Sequence, residues 1–279
     1  MPPSLHVPLQ SRASALHCLK LKASRADQRS MRCLLLLALA LPSLAWGAEE
    51  CADDFCRSLQ EAGLSPRAYR LLQERVKADH YSKSYAAIVD YSLASNVPRF
   101  FLLSLSARSF QKYFASAGLG SGGQNAVLFG NTPHIRQSAL GFMRTSPHNG
   151  KFGASILLTG LSASNSRLTP EAEILIHCAE YSSQGFFDLY GFWGRSLGCF
   201  TVPCENIQEI ITHLGNDALV LSYHDALWDQ TLTNPIKQEI AGHDAIPAPT
   251  KWELEENQLG KAGGPYGKKY EHPPIGAAK

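Results

Sequence analysis

The sequence predicts a mainly β domain, a sandwich or barrel, because from Tyr85 onward short apolar or alternating runs are separated by Gly, Ser, Asn and Pro. Seven such runs fall within about 140 residues, a density expected of packed short strands. They are Tyr85–Tyr91, Arg99–Leu105, Phe110–Ser116, Ser138–Arg144, Ala154–Leu161, Glu173–Ala179 and Ala218–Tyr223. One helix interrupts them: Ile207, Ile210, Ile211 and Leu214 share a face, Pro203 stands near the start and Gly215 offers a C-terminal cap. Ahead of the strands, Ser65-Pro66 reads as an N-cap with proline at the first helical position. Tyr69, Leu72 and Val76 then recur on one side, so residues 57–80 are expected to form a small helical preface.

Other stretches read as address and tail. The apolar run Cys33–Leu44 follows Met31-Arg32 and leads into Ala45-Trp46-Gly47-Ala48-Glu49, the pattern of a signal peptide cleaved after Gly47 or Ala48. It is shorter than the ~20 residues of a membrane helix, so no transmembrane span is expected after cleavage, an uncleaved anchor being the alternative. Residues 1–30 are polar and poor in acids; they are expected to precede a true start at Met31, with a transit peptide as the competing account. Beyond His243 the chain turns rich in Pro, Gly, Lys and Glu, which predicts a flexible tail, docking through Trp252 and Leu254 being the other reading. The expected division is therefore leader 1–30, signal 31–48, preface 49–84, main β domain 85–230 and tail 231–279.

Charge and cysteines narrow the function. With 26 basic against 24 acidic residues the chain lacks the basic footprint of a nucleic-acid binder. An exported protein meets an oxidising compartment, and of seven cysteines, discounting Cys18 and Cys33 leaves the five at 51, 56, 178, 199 and 204. An odd number implies a free thiol. Cys51 with Cys56, and Cys178 with Cys204, would leave Cys199, although four cysteines allow three pairings and a Cys199–Cys204 bridge would silence the thiol.

The chemistry is concentrated between Ile174-Leu175-Ile176-His177-Cys178-Ala179-Glu180-Tyr181 and Gly194-Arg195-Ser196-Leu197-Gly198-Cys199. A histidine ends a strand, and a cysteine sits in a glycine-flanked loop. A nucleophilic cysteine needs its thiolate. His177 as base, Arg195 as a nearby cation and the N-terminal end of the following helix could each favour it. The amides of Gly198 and Cys199 could form an oxyanion hole. If His177 faces the site, strand alternation turns Cys178 away. Ser196, Tyr181, Asp188 or a backbone carbonyl could orient the imidazole. The plain alternatives are a core histidine, half a disulfide at Cys199, a surface ion pair at Arg195 and a simple turn at Gly198. His80, His134, His148, His213 and His224 show no metal-ligand spacing.

These residues resemble the L,D-transpeptidase superfamily (YkuD-like), within it the murein L,D-transpeptidase catalytic-domain branch. The family's His, small residues and Tyr match His177 to Tyr181, and its Gly-Arg-Ser-x-Gly-Cys signature matches Gly194 to Cys199. Weaker likeness runs through Val89-Asp90-Tyr91-Ser92, Gly120-Ser121-Gly122, Ser138-Ala139-Leu140-Gly141-Phe142 and Gly150-Lys151-Phe152-Gly153, so it covers about Tyr85 to Asp225. The resemblance implies the family's β-rich sandwich, with a short helix after the cysteine, in a periplasmic or cell-envelope enzyme acting on peptidoglycan stem peptides without metal or cofactor. Cys199 would attack, His177 would move the proton, and Ser196 and Gly198 would complete the catalytic loop. Arg195, Tyr181 and Gly194 would meet substrate. An amine acceptor gives transpeptidation and water gives carboxypeptidation. A general cysteine peptidase and a non-catalytic peptidoglycan-binding or envelope protein are the competing functions. Relatives often carry Ala-His-Gly where this chain has Ser116-Ala117-Gly118, and Pro where it has Phe200.

Overall fold

The computed structural model describes residues 51–254 other than Pro133, His134 and Trp252. The leader, the signal segment and the tail past Leu254 lie outside the described residues. Two helices come first, α1 (Asp54–Glu61) and α2 (Pro66–Ala78). Asp53 caps α1 by accepting from the Cys56 amide at 2.8 Å, which satisfies one of the orphan donors of the first turn. Pro66 opens α2 as expected, but the Ser65 side chain makes no cap bond. Its amide instead donates to Asp90 Oδ2 at 3.1 Å, tying the helix pair to the sheet.

Eight strands form one sheet: β1 (Tyr85–Asp90), β2 (Phe100–Ser104), β3 (Ser109–Tyr113), β5 (Gly141–Gly150), β6 (Gly153–Gly160), β7 (Leu175–Cys178), β8 (Phe200–Val202) and β9 (Leu219–Tyr223). Their order is β3-β2-β1-β9-β5-β6-β7-β8, and β4 (Leu128–Gly130) pairs separately with β10 (Lys237–Glu239). Neighbours run antiparallel except β1 with β9 and β7 with β8. The sheet is nearly closed, because the chain leaving β3 crosses to the far edge. There the Ser116 amide donates to Thr201 O at 2.8 Å and the Ser196 amide to Ala117 O at 3.0 Å. The fold is thus the mainly β architecture expected.

Period-2 alternation sorts the core into two layers. Ala86 and Ile88 of β1, Phe101 and Leu103 of β2, and Leu219 and Leu221 of β9 pack against Leu59, Leu64 and Leu72 of the helical preface. The intervening Ala87, Val89, Leu102 and Val220 face the interior of the curved sheet, with Ile156, Ile176, Phe200 and Val202. Helix α4 (Ile207–Leu214) fills that interior with all four of its predicted apolar residues.

The structure departs from the sequence reading where elements are too short to show a period. Strands β4, β8 and β10 are three residues each, and α3 (Gln184–Tyr190) is a two-turn helix among aromatics. The folded unit also runs past residue 230, through α5 (Gln230–Thr233), β10 and a buried Glu253, which corrects the tail boundary drawn there. Among the described residues no helix is long and apolar enough to cross a membrane.

Candidate active site

The parallel pairing of β7 and β8 sets Ile176 beside Phe200, His177 beside Thr201 and Cys178 beside Val202. Carried back one residue, that register places Cys199 against Leu175, and the Leu175 amide lies 3.5 Å from Cys199 Sγ. Ile176, Cys178, Phe200 and Val202 belong to the interior cluster. Alternation therefore turns Cys199, Thr201 and His177 to the opposite face. Cys178 is bridged to Cys204 and Cys51 to Cys56, with Cα separations of 4.6 and 5.2 Å. Cys199 is the free thiol.

Cys199 and His177 line one cavity of about 1010 Å³ together with Gln137, Lys151, Phe152 and Glu173. Both are buried, at 8% and 1% exposure. His177 Nδ1 lies 2.9 Å from the Cys178 carbonyl. A carbonyl can only accept, so Nδ1 carries the proton and Nε2 keeps its lone pair. The element that orients the imidazole is this backbone carbonyl, one of the four possibilities open in the sequence. Phe152 stacks on the ring at 3.9 Å with an interplanar angle of 15°.

Electrostatics keep both groups neutral at rest. Burial pulls His177 down to about 4; the Cys178 carbonyl opposes this and the Lys151 charge adds to it. Burial pushes the Cys199 thiol up to about 11, against the Leu175 amide and Lys151, with Glu173 reinforcing the rise. The cavity thus holds a thiol and a free imidazole base rather than a preformed thiolate–imidazolium couple.

The remaining sequence-predicted residues shape the loop from behind. Ser196 is fully buried; its hydroxyl donates to Cys199 O at 2.5 Å and accepts from the Gly198 amide at 3.1 Å. That amide is turned into the loop, which removes it from the expected oxyanion hole. Gly198 has φ +125° and a Cβ there would sit 3.0 Å from Gln137 O, so its glycine is required by the turn. Gly194 packs on Tyr181, where a Cβ would meet Tyr181 Cβ at 2.4 Å, and Tyr181 is itself buried beside Phe186. Neither lines that cavity.

Arg195 is also off the cavity wall. Its guanidinium is buried and engages Glu253 at 2.9 Å and the carbonyls of Gly122, Pro247 and Ala248. The cation beside the sulfur is Lys151. Nor does a helix end serve Cys199, because β8 intervenes before α4 begins at Ile207. Lys151 and Phe152 are the two-residue tip of the β5–β6 hairpin, between paired Gly150 and Gly153. They were missed as site residues, although Gly150-Lys151-Phe152-Gly153 carried part of the resemblance. Of the departures from the family pattern, Ala117 and Phe200 are both interior residues.

A mainly β domain with a free cysteine and a histidine on one cavity wall matches what the sequence motifs describe. The family model of the L,D-transpeptidase catalytic domain matches residues 60–223, more than half of the chain, and the chain belongs to that family. Among solved structures it is similar to an L,D-transpeptidase from Mycobacterium smegmatis, with 10% identity, a TM-score of 0.31 and coverage of 50% of this chain and 58% of that one. It is also similar to the L,D-transpeptidase LdtMt1 in complex with imipenem, with 12% identity, a TM-score of 0.32 and coverage of 51% and 60%. A third is an L,D-transpeptidase from Xylanimonas cellulosilytica, with 12% identity, a TM-score of 0.26 and coverage of 51% and 61%. The likeness thus spans about three fifths of each of those chains. No curated protein matches.

Proposed function

We propose that the chain is a peptidoglycan L,D-transpeptidase in which Cys199 forms the acyl-enzyme and His177 moves the protons. The observation that carries this reading is the free thiol of Cys199 on the same cavity wall as an imidazole held in its Nδ1–H tautomer, the other described cysteines being locked in bridges. His177 Nε2 takes the thiol proton as sulfur attacks the carbonyl of the third stem residue. The C–N bond to the terminal D-alanine then breaks, the imidazolium protonates the departing amine, and a thioester remains. An amine of a neighbouring stem attacks the thioester, gives its proton to His177 and restores the thiol. Water in place of the amine gives L,D-carboxypeptidase activity. The two disulfides support an oxidising compartment, consistent with export to the cell envelope.

The test is to incubate the protein with purified tetrapeptide muropeptides and, separately, with all-L peptides, and to follow both by mass spectrometry. Release of D-alanine with a 3→3 dimer or a trimmed stem is expected. Since His177 stays unprotonated down to about 4, the acid limb of kcat/KM should fall near that value rather than near 6.5. A carbapenem should leave an adduct on Cys199. Cleavage of the all-L peptide alone would assign the chain to a general cysteine peptidase.

A further inference from the structure

The C-terminal segment before Leu254 grips the cysteine loop through one buried ion pair. Glu253 is fully buried, and its Oε1 accepts from both the backbone amide and Nε of Arg195 at 2.9 Å, while Oε2 accepts from a terminal guanidinium nitrogen at 3.1 Å. The same carboxylate accepts from the Thr250 amide at 2.7 Å, and the Thr250 hydroxyl accepts from the Glu253 amide at 3.2 Å, the reciprocal pattern of a capping box. Arg195 also donates to Pro247 O, Ala248 O and Gly122 O. Four residues after this anchor stands Cys199. The intervening turn has little slack: the Ser196 amide bonds Ala117 O, its hydroxyl bonds Cys199 O, and Gly198 occupies a backbone region closed to other residues.

We infer that Glu253 and Arg195 are positioning residues, and that Pro247, Ala248, Thr250 and Glu253 form a strap that fixes the cysteine loop so that Sγ stays seated against Leu175 and facing the His177 cavity. This rests on the proposed role of Cys199. It gives a motif arginine that does not line the Cys199 cavity a task in the reaction, and it gives the C-terminal segment one too. A loop freed from the strap should let the sulfur leave its seat for solvent. Acyl transfer then falls because the thiol is misplaced, while the thiol becomes easier to alkylate because it is no longer desolvated. Partial unfolding would also lower activity and expose the thiol, so each protein is compared where its melting curve shows it fully folded.

The experiment compares wild type with Glu253→Gln and Glu253→Asp in the full chain, well below each variant's unfolding midpoint. Three quantities are read: kcat and KM on muropeptides, the pH profile of Cys199 alkylation by iodoacetamide, and the melting curve. For Glu253→Gln, kcat should fall by about tenfold or more with KM little changed, and the alkylation midpoint should drop by about one pH unit or more toward that of a free thiol. Glu253→Asp should recover part of both. If Glu253→Gln does not fold, the double variant Arg195→Leu/Glu253→Leu, which leaves no buried charge, should show the same opposed changes. Unchanged kcat and an unchanged alkylation profile in a folded variant would overturn the strap. A wild type that alkylates at Cys199 but transfers no acyl group would defeat the proposed function instead, and the alkylation profiles would still decide the strap.

Discussion

Along β1 and β9 both faces of the sheet carry apolar side chains, whereas along β7 and β8 one face is apolar and the other, beyond Leu175, is polar. In the first region Ala86, Ile88 and Leu221 meet the helical preface while Ala87, Val89 and Val220 meet the interior. In the second, Ile176 and Phe200 still fill the interior, but the opposite face holds His177, Cys199 and Thr201. There the polar groups are buried and linked: Thr201 bonds Ser182 at 2.8 Å, Ser182 bonds Ser116 at 2.8 Å, and Ser116 donates to Gly194 O at 2.5 Å. One region takes its stability from area removed from water. The other spends the same fold on holding a few groups in fixed geometry, where each buried polar atom needs its partner.

The difference can be broken from either side. The largest effect is expected from Cys199→Ala, which should lower acyl transfer by about 10⁴-fold or more while leaving the urea unfolding curve close to wild type. Next comes the strap: Glu253→Gln leaves a buried guanidinium without its carboxylate, and equilibrium unfolding should show a loss of about 3–5 kcal/mol. A parallel loss of that size from a solvent-accessible pair such as half-buried Arg144 with exposed Asp217 is not expected.

His177 provides the third effect. Its value is depressed from 6.5 to about 4 in the folded chain, so between those limits the unfolded state binds more protons. Stability from this residue is therefore complete above pH 6.5 and is lost as pH falls through that window to about 4. The change amounts to about 3 kcal/mol, and a His177→Gln variant should lack that part of the pH dependence in chemical unfolding. The smallest effect sharpens the comparison from the apolar side. Ile88→Val removes one methylene from a fully buried position and should cost about 1 kcal/mol without altering Cys199 alkylation.

The same contrast explains what could be read from the chain. The predicted runs over β1, β2, β6 and β9, and the four-residue stripe of α4, were visible because packing imposes a period on the sequence. Strand β8 was not, since three residues carry no period, and yet its register is what seats Cys199 against Leu175. His177 and Cys199 were legible from their motifs. The stacking of Phe152 on His177 was not, because it depends on a hairpin tip folding over a distant strand end. Arg195 was legible as a residue of the motif, but its buried pairing with Glu253 was not. Its partner Glu253 lies in a Pro-rich stretch whose composition suggests a free tail, and a single buried carboxylate leaves no compositional trace.

The most direct test of the central claim is to trap the acyl-enzyme. Wild type and His177→Ala are mixed with a tetrapeptide stem at neutral pH, quenched in acid within one turnover, and mapped by peptide mass spectrometry. A stem tripeptidyl thioester on Cys199 is expected in wild type, with the same adduct strongly reduced in a folded His177→Ala. An unmodified Cys199 in a protein that still releases D-alanine, or an adduct that forms equally well without the imidazole, would contradict it.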